Sequence, residues 1–181
     1  MLIYGGAYYF GSKDDPKITN WCQHLASLGY VTVSIDHRLG FFPGKVGIER
    51  AAYRAVQDAH AAMRFLVSHQ EDYGIDTSMI FVGGSSSGAI TALSLAFMTN
   101  EDRPKYSRKR LFRRDLGDID TCGNALRTKF HIRGVAEMWG GMSDTSTLRG
   151  HNTSILAFHG DADDIMPYEY DRPFSVAKPF N

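Results

Sequence analysis

The stretch that most constrains how this chain folds is a short run in which an apolar segment passes into a helix through glycines and serines. Residues 79–82 are apolar and predict a buried strand, and residues 89–97 favour a helix. Between them lies Gly-x-Ser-x-Gly, with Ser86 at its centre and Gly84 and Gly88 on its two sides. Three serines stand in a row, but only the central one has glycine at both required positions. In this context the pattern predicts a nucleophilic serine on a sharp turn.

The chemistry of such a turn explains the residue types. A serine on so sharp a turn has strained backbone angles, so the residues two positions away must be small, and Gly84 and Gly88 meet that demand. The turn directs the hydroxyl toward the next helix, whose free N–H groups and dipole favour developing negative charge. An ordinary glycine- and serine-rich turn is one alternative. A phosphate loop is another, but no Lys-Ser/Thr pair closes this glycine run.

Length and composition indicate one globular domain, which we predict to span residues 1–181. Twenty Lys and Arg balance twenty Asp and Glu, so the whole-chain charge gives no argument for nucleic acid or an anionic membrane, and we expect neither as a partner. Cys22 and Cys122 are too few and too far apart to suggest a disulfide framework or a zinc site.

Strand and helix patterns alternate along most of the chain. The predicted strands are residues 2–4, 30–35, 79–82, 132–139 and 154–158, and the predicted helices are about 14–28, 48–68 and 89–97. In the long second helix, the polar residues Arg50, Arg54, Gln57 and Arg64 are expected on faces other than the buried stripe. The alternation predicts an α/β fold with a mostly parallel sheet and helices on both faces.

Residues 99–130 interrupt this alternation, and we predict that they form an irregular charged excursion within the domain. Seven Lys and Arg between 103 and 114 are followed by Asp115, Asp118 and Asp120. The segment could be a nucleic-acid patch or a solvated flap. Because acids follow so closely and the chain has no net charge, the flap is favoured.

Three motifs in order carry a family resemblance: Tyr4-Gly5-Gly6-Ala7-Tyr8, the Gly84–Gly88 turn, and His159-Gly160-Asp161-Ala162-Asp163 with Pro167 behind it. With these motifs the chain resembles the α/β-hydrolase superfamily, in its esterase/lipase (carboxylesterase-like) branch, over nearly the whole sequence outside residues 99–129. The resemblance implies an α/β-hydrolase fold and a serine hydrolase. Such an enzyme would cleave carboxylic esters of small acyl groups through an acyl-enzyme.

Carried over residue by residue, the resemblance makes Ser86 the nucleophile and Asp163 the triad acid. The backbone N–H groups of Gly6, Ala7 and Ser87 would form the oxyanion hole. A histidine must deprotonate the serine, and the carboxylate fixes the tautomer of that histidine. An alanine stands where the family has its third loop glycine, but the donor there is main chain, so the change is tolerable if the turn angles suit it.

The acid-bearing loop also has a second interpretation. Asp161, Asp163, Asp164 and His159 lie close together and could be taken for a metal cluster. Loops that bind hard metals place acids at alternating positions around a glycine turn, whereas this loop reads Asp-Ala-Asp-Asp-Ile. We therefore expect no metal and no cofactor.

The triad histidine is absent from its expected position. In this fold the triad runs Ser, Asp, His, yet all seven histidines precede Asp163. Of these, His37 and His151 could approach Ser86 as a non-standard base. We expect instead that the chain is truncated at both ends, with opening strands before Met1, and with the last strand, its helix and the loop bearing the histidine beyond Asn181.

The predicted substrate is an ester of a small acyl group, with acetyl or similar groups on carbohydrates as one possibility. Aromatic residues beside the first glycine loop, Tyr8, Tyr9 and Phe10, suit a small acyl or aromatic ester. A serine peptidase or lipase of the same fold is an alternative. A non-catalytic, hydrolase-like binding module is another, and the missing histidine is its only support.

Overall fold

Four parallel strands form the sheet of this computed structural model, which describes residues 1–142 and 144–169. They are β1 (Leu2–Ile3), β2 (Phe81–Ser85), β3 (Gly134–Met138) and β4 (Ser154–Phe158), and their spatial order follows the chain. Every neighbouring pair is parallel. Their carboxyl ends therefore meet at one edge of the sheet, called here the carboxyl edge.

Helices follow β1 and β2 in the chain and pack on the sheet. They are α1 (Pro16–Ser27), α2 (Lys45–Ser68), α3 (Gln70–Tyr73) and α4 (Ser87–Phe97), and 3-10 turns lie at Lys105–Ser107 and Thr145–Leu148. The Asp15 carboxylate accepts the backbone N–H groups of Lys17 and Ile18, which caps the start of α1.

Side-chain alternation in β1 puts helices on both faces of the sheet. Ile3 is fully buried in the main core with side chains of α2 and α4. Leu2 and Tyr4 point the other way and pack against Ile18 of α1. The predicted α/β fold, a parallel sheet covered on both faces, is confirmed.

Two element predictions need correction. The segment 30–35 is not a strand: it forms one isolated bridge, between Ser34 and Leu2, because β1, its neighbouring strand among the described residues, is two residues long. The strand predicted at 79–82 instead runs from Phe81 to Ser85, since pairing with both β1 and β3 extends the ladder through Gly83 and Gly84.

Two polar residues of α2 that were expected on faces other than the buried stripe are nevertheless buried, by the segment 99–130. Gln57 is fully buried and Arg64 is 2% exposed. Both donate hydrogen bonds to backbone carbonyls of the segment 99–130, Gln57 to Leu116 and Gly117, and Arg64 to Ile119 and Cys122. That segment has little regular structure, so buried side chains supply the donors that a helix or sheet would otherwise provide.

Candidate active site

Ser86 lies at the carboxyl edge, between the last residue of β2 and the first residue of α4. Its backbone angles are φ 53° and ψ −123°, a conformation that costs a non-glycine residue on the order of 1–3 kcal/mol. Its N–H donates to the Met138 carbonyl of β3 at 2.9 Å, and its side chain is partly exposed. The turn is thus held in a strained form by the neighbouring strand.

The glycines around Ser86 are required by close backbone packing. A Cβ on Gly84 would lie 2.5 Å from the Gly88 carbonyl carbon, and a Cβ on Gly88 would lie 2.2 Å from the Ile3 carbonyl oxygen. No side chain can occupy either position without moving β1 or α4. The spacing read from the sequence therefore has a direct steric cause.

The first glycine loop lies against this turn. A Cβ on Gly5 would be 2.8 Å from the Ser85 carbonyl oxygen and 3.1 Å from the Cβ of Ser86. The next residues adopt left-handed angles, with φ 133° at Gly6, 52° at Ala7 and 61° at Tyr8. Ala7 therefore occupies a conformation that favours glycine, and the loop holds it there at a cost that a glycine would avoid.

Tyr8 anchors this loop to the body of the protein. Its ring is 3% exposed and packs with Ala51 and Ala55 of α2. Its hydroxyl lies 3.5 Å from the Thr91 hydroxyl, which in turn donates to the carbonyl of Ser87 at 2.9 Å. Burial raises the pKa of Tyr8 well above its usual value. A buried connection thus runs from the glycine loop to the first turn of α4.

Asp163 lies in the loop that follows β4, also at the carboxyl edge. Its Oδ1 accepts the N–H groups of Ile165 and Met166, both at 2.9 Å, and these bonds lower the pKa of the carboxyl. His159 is bonded elsewhere: its Nε2 lies 2.6 Å from the Met166 carbonyl and 3.8 Å from Asp163 Oδ2. A carbonyl only accepts, so Nε2 carries the proton, and 3.8 Å is too long for a hydrogen bond to the carboxylate.

No histidine hydrogen-bonds to Ser86 in the part of the chain that the structure describes. His37 lies under the glycine loop, stacked on Tyr4 at 4.6 Å between ring centroids; neither ring nitrogen has a partner, and burial lowers its pKa. His151 packs edge-on against Phe97, at the far end of α4. At 1.5 Å per residue, that end is about 15 Å from Ser86, too far for His151 to act as its base.

Sequence reasoning overlooked Glu137, which the structure places beside the serine turn. Its carboxylate is 6% exposed and accepts the N–H of Gly140. A Cβ on Gly140 would lie 2.6 Å from the Cβ of Ala89, so this β3 turn packs directly on the first turn of α4. The available signal was one acid in an apolar strand that runs into two glycines.

Two cavities lie away from the serine. An apolar one of about 260 Å³ opens at the amino ends of the strands, where Met1, Met63 and Phe81 are among its lining residues. A polar one of about 540 Å³ is formed by the loop 161–169, Asp163 included. Ser86 lines neither cavity, so neither of the two joins Ser86 to Asp163.

Within residues 1–142 and 144–169, no group of three or more His, Cys, Asp and Glu side chains could hold a metal ion. The helices in that part of the chain include none that is long and apolar enough to cross a membrane.

The parallel sheet, the strained serine between β2 and α4 and the ordered motifs define an α/β-hydrolase. The chain belongs to the BD-FAE family, which it matches over residues 1–154. It is 30% identical over 112 residues to Gut esterase 1 of Caenorhabditis elegans, covering 59% of this chain and 19% of the relative. It is 31% identical over 97 residues to Esterase LipI of Mycobacterium tuberculosis, covering 53% of this chain and 28% of the relative.

One similar solved structure is a truncated form of a carbohydrate esterase from gut microbiota. It is 26% identical, with a TM-score of 0.63, and the match covers 92% of this chain and 67% of that one. The chain spans between about a fifth and somewhat over a quarter of the length of the two curated relatives.

Proposed function

We propose that this chain carries the catalytic core of a carboxylic ester hydrolase that forms an acyl-enzyme on Ser86. The observation that supports this most is the strained backbone of that serine, which the packing of Gly84 and Gly88 maintains at the carboxyl edge. Strain of this kind persists where function requires it. The names of the two curated relatives, both esterases, agree with the reaction class.

In the proposed reaction the Ser86 hydroxyl attacks the ester carbonyl while a general base takes its proton. The carbonyl oxygen becomes an oxyanion that accepts hydrogen bonds from the backbone N–H groups of Gly6, Ala7 and Ser87. Each such donor is worth about 3–4 kcal/mol of transition-state stabilisation. The alcohol leaves with the returned proton, and water then releases the acid from the serine. The contact of Gly5 with Ser86 supports this arrangement.

Asp163 is the proposed triad acid, since its carboxyl has a lowered pKa and its Oδ2 is not used by the loop amides. A triad without its histidine loses about 10⁴- to 10⁶-fold in rate. Because no histidine bonds to Ser86 in the described residues, we expect the 181-residue chain by itself to turn over esters at that reduced level.

The proposed substrates are small acyl esters, acetyl groups on carbohydrates among them. The similar carbohydrate esterase supports the sugar part. Tyr9 and Phe10 support apolar contact with the acyl group, because their side chains are accessible beside the glycine loop, at 61% and 67% exposed. Comparing acetylated oligosaccharides with p-nitrophenyl acetate, butyrate and octanoate tests this assignment. A preference for the octanoate ester would contradict it.

Chemical rescue tests the reaction itself. With p-nitrophenyl acetate, added imidazole should substitute for the missing base and raise the protein-dependent rate in a saturable way. Ser86→Ala should remove that increase, whereas Ser85→Ala, the matched neighbour, should retain it. A rescue equal in both variants, or no rescue in either, would favour the non-catalytic binding module.

A further inference from the structure

The excursion of residues 99–130 ends in an apolar tip. Leu111 and Phe112 are 91% and 94% exposed. They occupy a two-residue turn closed by two backbone hydrogen bonds, Arg110 N–H to the Arg113 carbonyl at 3.1 Å and the reverse bond at 2.9 Å. Exposing two large apolar side chains together is unfavourable in water, and such exposed apolar groups mark interaction sites.

Basic side chains surround this apolar pair. Five exposed cations flank it: Arg108, Lys109, Arg110, Arg113 and Arg114. None of them forms an ion pair with an acid in the described residues. The acid that follows, Asp115, bonds instead to Arg103 and to the amides of Lys109 and Gly117. The tip is therefore strongly positive, although the whole chain has no net charge.

The base of the tip is fixed to the protein. Arg103 bridges Asp115 and Asp118, and Arg50 of α2 donates to the carbonyls of Tyr106 and Arg114 at 2.7 and 3.1 Å. These bonds fix the segments on both sides of the tip, while Leu111 and Phe112 stay exposed.

The base of the tip lies near the edge of the sheet that carries Ser86. Contacts of the excursion with α2 run from Ser68 at the end of that helix, through Arg64 and Gln57, to Arg50 near its start. The start of α2 is at the carboxyl edge, because Ala51 packs on Tyr8 of the glycine loop.

We propose that the tip, residues 108–114, docks on an anionic lipid bilayer, in contrast to the expectation from the balanced charge of the whole chain that no membrane is a partner. Leu111 and Phe112 enter the interfacial region while the flanking cations contact lipid phosphates, so the membrane surface faces the carboxyl edge. Apolar residues ringed by Lys and Arg suit such an interface, where each cation adds attraction to anionic lipid. A nucleic-acid backbone would match the cations and leave the two apolar side chains uncovered.

Vesicle co-sedimentation tests this proposal. The 181-residue protein should bind phosphatidylcholine vesicles that contain about a third phosphatidylglycerol, and bind pure phosphatidylcholine far less. Leu111→Ser combined with Phe112→Ser should weaken binding at least about tenfold. Leu28→Ser, which removes an exposed apolar side chain at the far end of α1, away from the carboxyl edge, should leave it unchanged.

A charge variant gives a second readout. Lys109→Gln with Arg110→Gln should weaken binding to the anionic vesicles about thirtyfold, and binding by the unsubstituted protein should fall with added salt. Circular dichroism and the thermal midpoint should be unchanged, since both side chains are exposed.

The proposal fails if the protein binds neutral and anionic vesicles equally, or binds neither. It also fails if both tip variants bind as well as the unsubstituted chain, or if heparin or RNA captures the protein while vesicles do not. Vesicle binding is measured without any reaction at Ser86, so the result of the co-sedimentation is independent of the proposed ester hydrolysis.

Discussion

The two proposed catalytic side chains follow strands with very different surroundings. β2, which leads into Ser86, lies between β1 and β3, and its residues Val82 to Gly84 are buried. Among the residues that the structure describes, β4, which leads into Asp163, is the last strand of the sheet, and all five of its residues are exposed there. The two strands have the same length, yet Leu156 in β4 is 59% exposed whereas Val82 in β2 is 2% exposed.

Ser86 and Asp163 are therefore positioned by different means. Ser86 is held by tertiary packing, because β1, β3 and the first turn of α4 all touch its turn. Asp163 is oriented by its own loop, through the amides of Ile165 and Met166. Changes near the serine should therefore disturb the whole fold, whereas changes near the acid should act locally.

Matched glycine substitutions should give the largest difference between the two regions. Gly88→Ala puts a methyl group 2.2 Å from the Ile3 carbonyl oxygen, so we expect a loss of roughly 3–5 kcal/mol in the free energy of unfolding. Gly160→Ala, at the end of β4, meets nothing within 4 Å and should change it by less than about 0.5 kcal/mol. Urea unfolding measures both, and equal losses would contradict the contrast.

A buried histidine of α2 should have a smaller effect on the free energy of unfolding, through its titration with pH. His60 of α2 is 6% exposed, neither ring nitrogen has a partner, and burial, helped by Arg64, lowers its pKa to about 4. The folded state thus disfavours the charged ring relative to the unfolded chain, whose histidines titrate near 6.5. The free energy of unfolding is therefore at its full value above about pH 6.5. It falls as the pH drops toward 4, because the unfolded chain gains the proton first, and the loss is about 3 kcal/mol in all.

Replacement tests that assignment. His60→Leu should flatten the pH dependence of unfolding between pH 6.5 and 4, because the variant has no imidazole to protonate. His131→Leu, at an exposed position, should keep the slope of the unsubstituted chain. An unchanged slope in His60→Leu would show that other groups govern the acid sensitivity.

Local sequence patterns predicted the parts of the fold that local packing determines. The strand, glycine turn and helix around Ser86 were readable because close backbone contacts allow few residue types there. Segment 30–35 was misassigned because a β-branched run forms a strand only beside a partner strand of sufficient length. The neighbouring strand β1 is only two residues long.

Long-range contacts account for most of what the sequence did not reveal. The burial of Gln57 and Arg64 depends on carbonyls of residues 116–122, far along the chain, and no helical periodicity could indicate it. Glu137 was overlooked for the same reason, since its role depends on a turn packing against α4. The site residues were read from motifs, whose catalytic roles remain predictions.

Peptide mass spectrometry after an acid quench tests the central claim most directly. When the chain has been incubated with p-nitrophenyl acetate and imidazole as the base, we expect an acetyl ester on Ser86, and no acetyl at that peptide in Ser86→Ala. Acetyl groups confined to lysines, or carried by Ser85 or Ser87 in place of Ser86, would contradict the account.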